Sequence, residues 1–304
     1  MEQSEVCWVF RATRQASGAM SLRLETLQVA RLAPKLLGES TELVRDFLLQ
    51  QQNSEGGFKD RDGKSDLYYT VFGIDGLLAL QAELPTARLA SYLKSFGDGE
   101  GLDFVHLCCL ARAWAGVSGQ GQTELTPARH RDELRHRIES YRAKDGGYAF
   151  LALGAYQDLK AQMPEPLRLI QSLKFLETDD GAWANERTVK TGSTNATAAA
   201  VTVLRNLFIP MNQSVGDWLL ARFHPEGGFL AAPNAPIPDL LSTATALHAL
   251  AGLEVSFEHV KEKCLDFVDT LWTNEGGFHG HWTDDHLDCE YTYYGLLALG
   301  HLSL

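Results

Sequence analysis

The carboxyl-terminal part of the chain concentrates acidic side chains that could bind a metal ion or donate a proton. Asp284, Asp285 and Asp288 follow an i, i+1, i+4 spacing, and carboxylate oxygens are the ligands that Mg²⁺ prefers. Glu290 comes next, and Asp239 stands at the start of a similar apolar segment upstream. Because apolar surroundings raise the pKa of a carboxyl group, Asp239 and Glu290 are candidate proton donors. Asp285 is the candidate for metal-dependent catalysis.

A purely structural interpretation competes for the same acids. Asp66, Asp103, Asp239 and Asp288 each stand just before an apolar segment, where an aspartate typically caps the first turn of a helix. The stretch 284–288 is then a loop followed by a cap. The pattern favours this interpretation over a magnesium site at Asp284, Asp285 and Asp288, and both stay open at this point.

The acids belong to a pattern that recurs along the whole chain, a glycine turn followed by an apolar segment. The turns are Gly56-Gly57-Phe58, Gly146-Gly147-Tyr148, Gly181-Ala182-Trp183, Gly227-Gly228-Phe229 and Gly276-Gly277-Phe278, with a degenerate one at Gly99-Glu100-Gly101-Leu102. The segments that follow begin 37 residues apart at Asp66 and Asp103, and 49 residues apart at Asp239 and Asp288. Such periods are typical of repeats that contain one helical hairpin each.

Two kinds of helix alternate in these repeats. Segments such as 73–80, 198–204 and 244–253 are apolar on nearly every face, which predicts burial among other helices. A second set is amphipathic and covers 42–52, 86–96, 127–141, 164–176, 213–223 and 257–272. We therefore predict an all-α fold, an α/α toroid of six inner and six outer helices with an additional helix near 21–32. Residues 1–18 stay unassigned, and 19–304 form one domain.

Composition restricts the function further. The net charge of -12 argues against nucleic-acid binding, which needs clustered Lys and Arg. The five cysteines follow no disulfide pattern, and a reduced, cytoplasmic location fits them. No apolar run approaches the roughly 18 residues of a transmembrane segment, and the amino terminus lacks the features of a secretory signal.

The repeats also predict where a ligand binds. In a ring of inner helices the amino-terminal turns open at one end, so their side chains line a common funnel. The funnel residues that we select as substrate-binding candidates are Tyr68, Tyr69, His106, Trp183, Asn195, Trp282, Tyr291 and Tyr294. A concave site that is aromatic and has few polar groups favours an elongated apolar ligand, although each ring alone is compatible with core packing.

These motifs carry a family resemblance. The glycine-aromatic turns, the helix start Pro238-Asp239-Leu240-Leu241-Ser242-Thr243 and the stretch from Gly276 to Leu296 resemble the β subunits of protein prenyltransferases. The chain is also similar to the squalene-hopene type of class II terpene cyclases in the same superfamily. The resemblance covers about residue 40 to the end, and it implies an α/α toroid with a central isoprenoid pocket. It leaves open whether a helical partner subunit covers the ring.

The catalytic residues of these families are only partly present. In the prenyltransferases the resemblance implies a zinc site of Asp, Cys and His. Asp239 is present here, but Leu241 stands at the Cys position and Tyr291 at the His position. Zinc binding is therefore disfavoured, unless Cys289 and the nearby histidines rebuild a site. The cyclases use an Asp-x-Asp-Asp motif, of which only Asp239 remains. The 284–288 acids fit the DDxxD spacing that binds magnesium and diphosphate in some isoprenoid enzymes.

The sequence predicts an isoprenoid-handling enzyme, prenyltransferase-like or terpene cyclase-like, that binds a polyprenyl or prenyl diphosphate chain in an aromatic funnel. The alternative is a non-catalytic toroid that binds a lipid or docks a partner and has lost the zinc chemistry. A glycosidase on an α/α barrel would need a separated pair of funnel carboxylates, and the polar groups here are too few.

Overall fold

The computed structural model of the protein describes residues 20–118, 128–144 and 149–304. Its helices in chain order are α1 (Leu22–Ala30), α2 (Pro34–Leu37), α3 (Thr41–Gln50), α4 (Leu67–Ala79), α5 (Thr86–Lys94), α6 (Phe104–Ser118), α7 (Ala128–Lys144), α8 (Ala149–Asp158), α9 (Pro166–Lys174), α10 (Thr194–Asn206), α11 (Ser214–Leu220), α12 (Leu240–Gly252), α13 (Lys261–Thr270) and α14 (Cys289–Leu302). Single 3₁₀ turns precede α3 and α13, at Gly38–Ser40 and Glu258–Val260. These bounds agree with the predicted amphipathic segments to within a few residues.

The helices form a closed double ring. The even-numbered helices from α4 to α14 pack each against the next, and α14 packs against α4 to close the inner ring. The odd-numbered helices from α3 to α13 pack against the outside of this ring. The prediction of an all-α toroid with six inner and six outer helices is confirmed.

Three of the glycine turns lie in close contact with the outer helix of the neighbouring repeat. Gly56, Gly227 and Gly276 have φ of 101°, 105° and 92°, a left-handed region that favours glycine. A Cβ on Gly227 would lie 2.1 Å from Lys263 O, and one on Gly276 would lie 2.2 Å from Leu43 O. The contact between Gly276 and Leu43 joins the last repeat to the first outer helix and closes the outer ring.

In four of the glycine turns that the structure describes, the aromatic residue is fixed to the inner helix by a threonine. Phe58 is completely buried, and its backbone N–H donates to Thr70 Oγ1 at 2.9 Å. The same bond joins Trp183 to Thr197, Phe229 to Thr243 and Phe278 to Thr292 at 3.1, 2.9 and 3.4 Å. Two short hairpins lie at these turns, with β1 (Phe58–Lys59) paired antiparallel to β2 (Ser65–Asp66) and β3 (Phe229–Leu230) to β4 (Pro238–Asp239). The repeat is therefore a structural unit with its own hydrogen-bond pattern.

Inner helices begin at the residues that the sequence marks as caps. Asp66, Asp239 and Asp288 cap α4, α12 and α14, and each side chain accepts a hydrogen bond from a backbone N–H of the first turn. Ser193 caps α10 in the same way, and Asp103 accepts from the His106 N–H at 2.9 Å. The helix-cap interpretation of these residues is confirmed.

Helix α1 closes the end of the ring where the inner helices finish. It packs against α4, α8 and α14. The Leu22 N–H donates to Gln157 Oε1 at 2.9 Å, and Asn206 Nδ2 donates to Met20 O at 3.1 Å. Both Gln157 and Asn206 lie in the last turns of their helices. The predicted amino-terminal helix is therefore the floor of the barrel.

Some predictions fall outside the described residues, namely the unassigned segment 1–18 and the turn at 146–148. The assignment of 19–304 to one domain stays a prediction. None of the helices in the described ranges combines the length and apolar character that a membrane-spanning helix needs.

Candidate functional site

A cavity of about 340 Å³ lies inside the inner ring. Its wall includes side chains from all six inner helices and from α1, and most of this wall is apolar. The lining extends from the first turns, at Tyr68, Asn195 and Leu241, to the last turns, at Asp158 and His248. The cavity therefore has a mouth end, near the start of the inner helices, and a deep end that α1 closes. Its volume is within the range of small-molecule sites.

Four aromatic rings from α4 and α14 form one side of the cavity. Phe72 contacts Tyr68, Tyr293 and Tyr294 with ring centroids 5.0, 5.8 and 5.4 Å apart, and all four residues line the cavity. The faces of such rings carry negative electrostatic potential, which attracts cations. This wall can therefore stabilise a positive charge that develops on an apolar ligand.

Glu290 stands beside this aromatic wall at the mouth end. The Tyr68 hydroxyl donates to Glu290 Oε1 at 2.6 Å. Glu290 lies one turn before Tyr294, so the two side chains share a face of α14. Burial raises the pKa of Glu290 to about 7, a rise that the Tyr68 hydrogen bond opposes and the charge of Asp288 supports. At neutral pH this carboxyl group is about half protonated.

The hydroxyl that holds Glu290 keeps its own proton. Burial, together with the nearby Tyr294 and Glu290, raises the pKa of Tyr68 far above its usual value. Tyr68 therefore remains a hydrogen-bond donor throughout the physiological range and fixes the orientation of the carboxyl group.

The structure brings three of the predicted substrate-binding residues together in the cavity wall, Tyr68, Asn195 and Tyr294. Asn195 Oδ1 accepts a hydrogen bond from Thr245 Oγ1 at 2.9 Å, which fixes the amide. These residues come from α4, α10 and α14, as the funnel prediction requires.

The other five predicted substrate-binding residues do not line this cavity. Trp183 is buried and its indole N–H donates to a carbonyl of α9, while Trp282 is 38% exposed on the outer surface. His106 lies between Asp66 and Asp103. The remaining two, Tyr69 and Tyr291, lie near Arg61. Trp183 and Trp282 lie in the loops before the inner helices, whereas Tyr69, His106 and Tyr291 lie in first helical turns, on faces that do not line the cavity.

Neither Asp239 nor Glu290 is among the residues that line the cavity, but Glu290 is joined to the wall by Tyr68, whereas Asp239 is held within its own helix turn. The Asp239 contacts are those of a helix cap. The Asp239 carboxylate accepts hydrogen bonds from the Ser242 N–H and the Ser242 hydroxyl, both at 2.7 Å. Burial raises its pKa, which these hydrogen bonds oppose. Leu241, two residues later, does line the cavity. The position at which the resemblance implies a reactive side chain is therefore apolar here.

The acidic loop before α14 is organised around an arginine. Arg61, in the β1–β2 connection, donates from Nη2 to Asp284 Oδ2 at 2.9 Å and from Nε to Asp288 Oδ2 at 3.0 Å. Its guanidinium carbon lies 5.4 Å from the centre of the Tyr291 ring. Asp285 is exposed. Two of the three predicted magnesium ligands thus share a cation from the protein.

The arrangement of these acids does not fit a divalent metal. Across 20–118, 128–144 and 149–304, no group of three or more His, Cys, Asp or Glu residues is placed to hold a metal ion. Cys289 is completely buried, and burial raises the pKa of its thiol well above the usual value. We derive no step that uses magnesium or zinc.

A buried charged cluster at the deep end was missed by the sequence analysis. Asp75 accepts from Arg112 Nε and Nη2 at 2.9 and 2.7 Å, and Arg23 Nε lies 3.2 Å from its other oxygen. Arg23, Arg112 and Asp158 all line the cavity. The signal was present, because Asp75 and Arg112 each interrupt an otherwise apolar stretch of an inner helix.

A closed double ring of helices with a largely apolar central cavity is the architecture of an α/α toroid. A family model described as prenyltransferase alpha-alpha toroid domain matches residues 29–110 and 195–303, which is more than half of the chain. The protein belongs to this family. A comparison with curated protein sequences gives no match.

Solved structures with a similar fold include a type II terpene cyclase, MstE from Scytonema. Its apo structure aligns with a TM-score of 0.53 and 16% identity over 88% of this chain and 97% of that chain. A variant of the same cyclase in complex with its substrate, geranylgeranyl dihydroxybenzoate, aligns with a TM-score of 0.53 and 15% identity over 89% and 97%. At this identity the likeness establishes the fold alone.

Proposed function

We propose that the protein is an isoprenoid-handling enzyme of the terpene cyclase type, which binds a prenyl chain in the central cavity and starts its reaction by proton transfer from Glu290. One observation carries the proposal: Glu290 accepts a 2.6 Å hydrogen bond from Tyr68, which lines the aromatic wall of the central cavity, and burial raises the pKa of this carboxyl group to about 7. Family membership and the substrate of the structurally similar cyclase support the same class of ligand.

The chemistry follows from the positions of these groups. The Glu290 proton adds to one carbon of an alkene, whose π electrons form the new C–H bond and leave a tertiary cation on the other carbon. An internal alkene attacks this cation and closes a ring. Loss of a proton from the final cation gives a product that is an isomer of the substrate, and Glu290 regains a proton for the next turnover. The rings of Phe72, Tyr293 and Tyr294 stabilise the cations.

The side chains around Glu290 position the acid and exclude water. Tyr68 orients the carboxyl group through the 2.6 Å hydrogen bond. The apolar wall keeps water away from the cation, which water would otherwise capture as an alcohol.

The alternative function, a toroid that binds a lipid or a partner without catalysis, is favoured by a specific observation. Leu241 lines the cavity at the position of the expected reactive group, and the hydrogen bonds of Asp239 are those of a helix cap. Both functions predict binding of an apolar chain, but only the enzyme predicts a product.

The test is incubation of the protein with geranyl, farnesyl and geranylgeranyl diphosphates and with squalene, with and without added Mg²⁺, followed by mass spectrometry of the extracted products. We expect a cyclised product, and we expect the Glu290→Gln variant to lose at least about 100-fold in turnover, as is typical for removal of a general acid. Glu275→Gln, at an exposed position of the last glycine turn, is the matched control and should retain full turnover.

Other outcomes assign the function differently. Loss of turnover in Asp239→Asn but not in Glu290→Gln would move the proton donor to Asp239. Magnesium-dependent release of diphosphate that disappears in Asp285→Asn would restore the metal-dependent prediction. Binding of a prenyl chain without any product would favour the non-catalytic toroid.

A further inference from the structure

The deep end of the cavity contains more hydrogen-bond donors than the residues in 20–118, 128–144 and 149–304 use. Arg23 is only 7% exposed, and its Nε lies 3.2 Å from Asp75 Oδ1. The angle at this contact is not that of a hydrogen bond, so both atoms lack a hydrogen-bond partner within the described residues. Among the described residues, Arg112 donates from Nε and Nη2 alone, both to Asp75 Oδ2. Because each guanidinium group carries five N–H donors, several remain for an acceptor in the cavity.

Asp158 provides the only carboxyl group in the cavity wall as described, beside these two arginines. No hydrogen bond from the described residues reaches its oxygens. Burial raises its pKa to about 6, while Arg23 and Arg112 oppose the rise and Asp75 supports it. The cluster therefore has no net charge when Asp158 is ionised, and one positive charge when Asp158 is protonated.

The charge of this cluster selects among possible head groups. A carboxylate carries one negative charge and four acceptor positions, which match two guanidinium groups and a protonated Asp158. A diphosphate carries several negative charges and would leave most of them unpaired in a buried site, which is strongly unfavourable. A hydrocarbon would leave the arginine donors without acceptors.

We propose that the deep end of the cavity binds the carboxylate of an isoprenoid acid, held between Arg23 and Arg112, with the hydrocarbon chain directed toward the mouth. The proposal rests on the proposed function, since that function supplies the prenyl chain. It adds the head group and its orientation. The alkene at the far end of the chain then lies near Glu290 and the aromatic wall.

The test is isothermal titration of the intact protein at pH 7 with three ligands of equal chain, farnesoic acid, farnesol and farnesyl diphosphate, and with dodecanoic acid. We expect farnesoic acid to bind at least tenfold more tightly than farnesol and than farnesyl diphosphate. Equal or tighter binding of farnesol or of the diphosphate would overturn the head-group assignment. If none of the ligands binds, the head-group assignment and the proposed function both fail.

Two variants separate the head-group site from the chain site. Arg23→Met should weaken the binding of farnesoic acid at least tenfold and leave the affinity for farnesol unchanged, since Asp75 keeps its hydrogen bonds to Arg112. An unchanged affinity for the acid would refute the assignment.

Asp158→Asn keeps the size of the side chain and removes its charge, so it is informative even if Arg23→Met does not fold. The groups that face Asp158 from neighbouring helices are Arg23, Arg112, Asp75 and Cys108. At pH 8 the wild type must protonate Asp158 before it accepts a second carboxylate, so the variant should bind farnesoic acid at least tenfold more tightly. Weaker or equal binding by the variant would contradict the proposal.

Equal binding of dodecanoic and farnesoic acids would support the carboxylate site and count against the isoprenoid chain.

Discussion

The variant Asp75→Asn tests whether the buried cluster is held by charge. Asp75 is 1% exposed, and it is the carboxylate that Arg112 contacts twice and Arg23 approaches to 3.2 Å. An asparagine keeps the shape but removes the carboxylate that both arginines face, and Asp158, which accepts no hydrogen bond from either of them, is the carboxyl group that remains beside them. Removing one partner of a buried ion pair typically lowers stability by about 3–5 kcal/mol. We expect a decrease of about 4 kcal/mol in the free energy of unfolding, measured by urea denaturation with circular dichroism.

A matched control exists on the surface. Arg137 donates to Asp98 Oδ2 from Nε and Nη2 at 3.2 and 2.7 Å, nearly the same geometry in an exposed setting, so Asp98→Asn should leave the urea midpoint almost unchanged. If the two variants lose equal stability, burial does not amplify the Asp75 pair and our account of the cluster is wrong. The combined variant Asp75→Leu, Asp158→Leu, Arg23→Met and Arg112→Met should restore stability, because apolar residues of similar volume replace buried ion pairs well.

Three further predictions concern the repeat and the proton donor. Gly73→Ala should lower the free energy of unfolding, measured by chemical denaturation, by about 2 kcal/mol, because the new Cβ would lie 2.3 Å from the Phe58 ring. The control Gly154→Ala has no described atom within 4 Å of its Cβ and should raise the free energy of unfolding by about 1 kcal/mol. Thr70→Val should cost about 2 kcal/mol in the same assay, because it leaves the buried Phe58 N–H without an acceptor. Because the folded-state pKa of Glu290 is raised from 4.5 to about 7, the free energy of unfolding of the wild type should fall by up to about 3 kcal/mol as pH rises through this window. Glu290→Gln should lack this contribution in unfolding curves measured between pH 4 and 8. Parallel pH dependences for the two proteins would disprove the pKa shift.

The ring could be predicted from the sequence because it is built from local, repeated signals. The glycine turn, the cap and the apolar helix recur in order, and each has a physical reason that a single repeat already expresses. The prediction therefore located the inner and outer helices and placed Tyr68, Asn195 and Tyr294 in the central wall. A threonine stands four residues after each of the caps Asp66, Ser193, Asp239 and Asp288. Thr70 shows what this residue does, because its side chain accepts a hydrogen bond from the backbone of the preceding glycine turn.

The site was predicted only in part, because its polar contacts join distant parts of the chain. Arg61 lies 227 residues from Asp288, so no local pattern indicates that Asp284 and Asp288 share a guanidinium group. Asp75 and Arg112 were each a single charge in an apolar helix, and only the closed ring shows that they meet. Trp183 and Trp282 have the expected composition for a funnel, but the direction of a loop side chain depends on packing that spacing alone does not determine.

The floor of the barrel has a consequence for the order of folding. Helix α1 leaves the ribosome before any other described helix, yet the surface on which it docks includes α14, at the other end of the described chain. During synthesis α1 has no complete docking site until the last inner helix has been made. Until α1 docks, Arg23 is not held beside Asp75. Sealing of the cavity therefore requires the complete inner ring, and a nascent chain keeps its apolar inner helices accessible to chaperones until the last of them has been made.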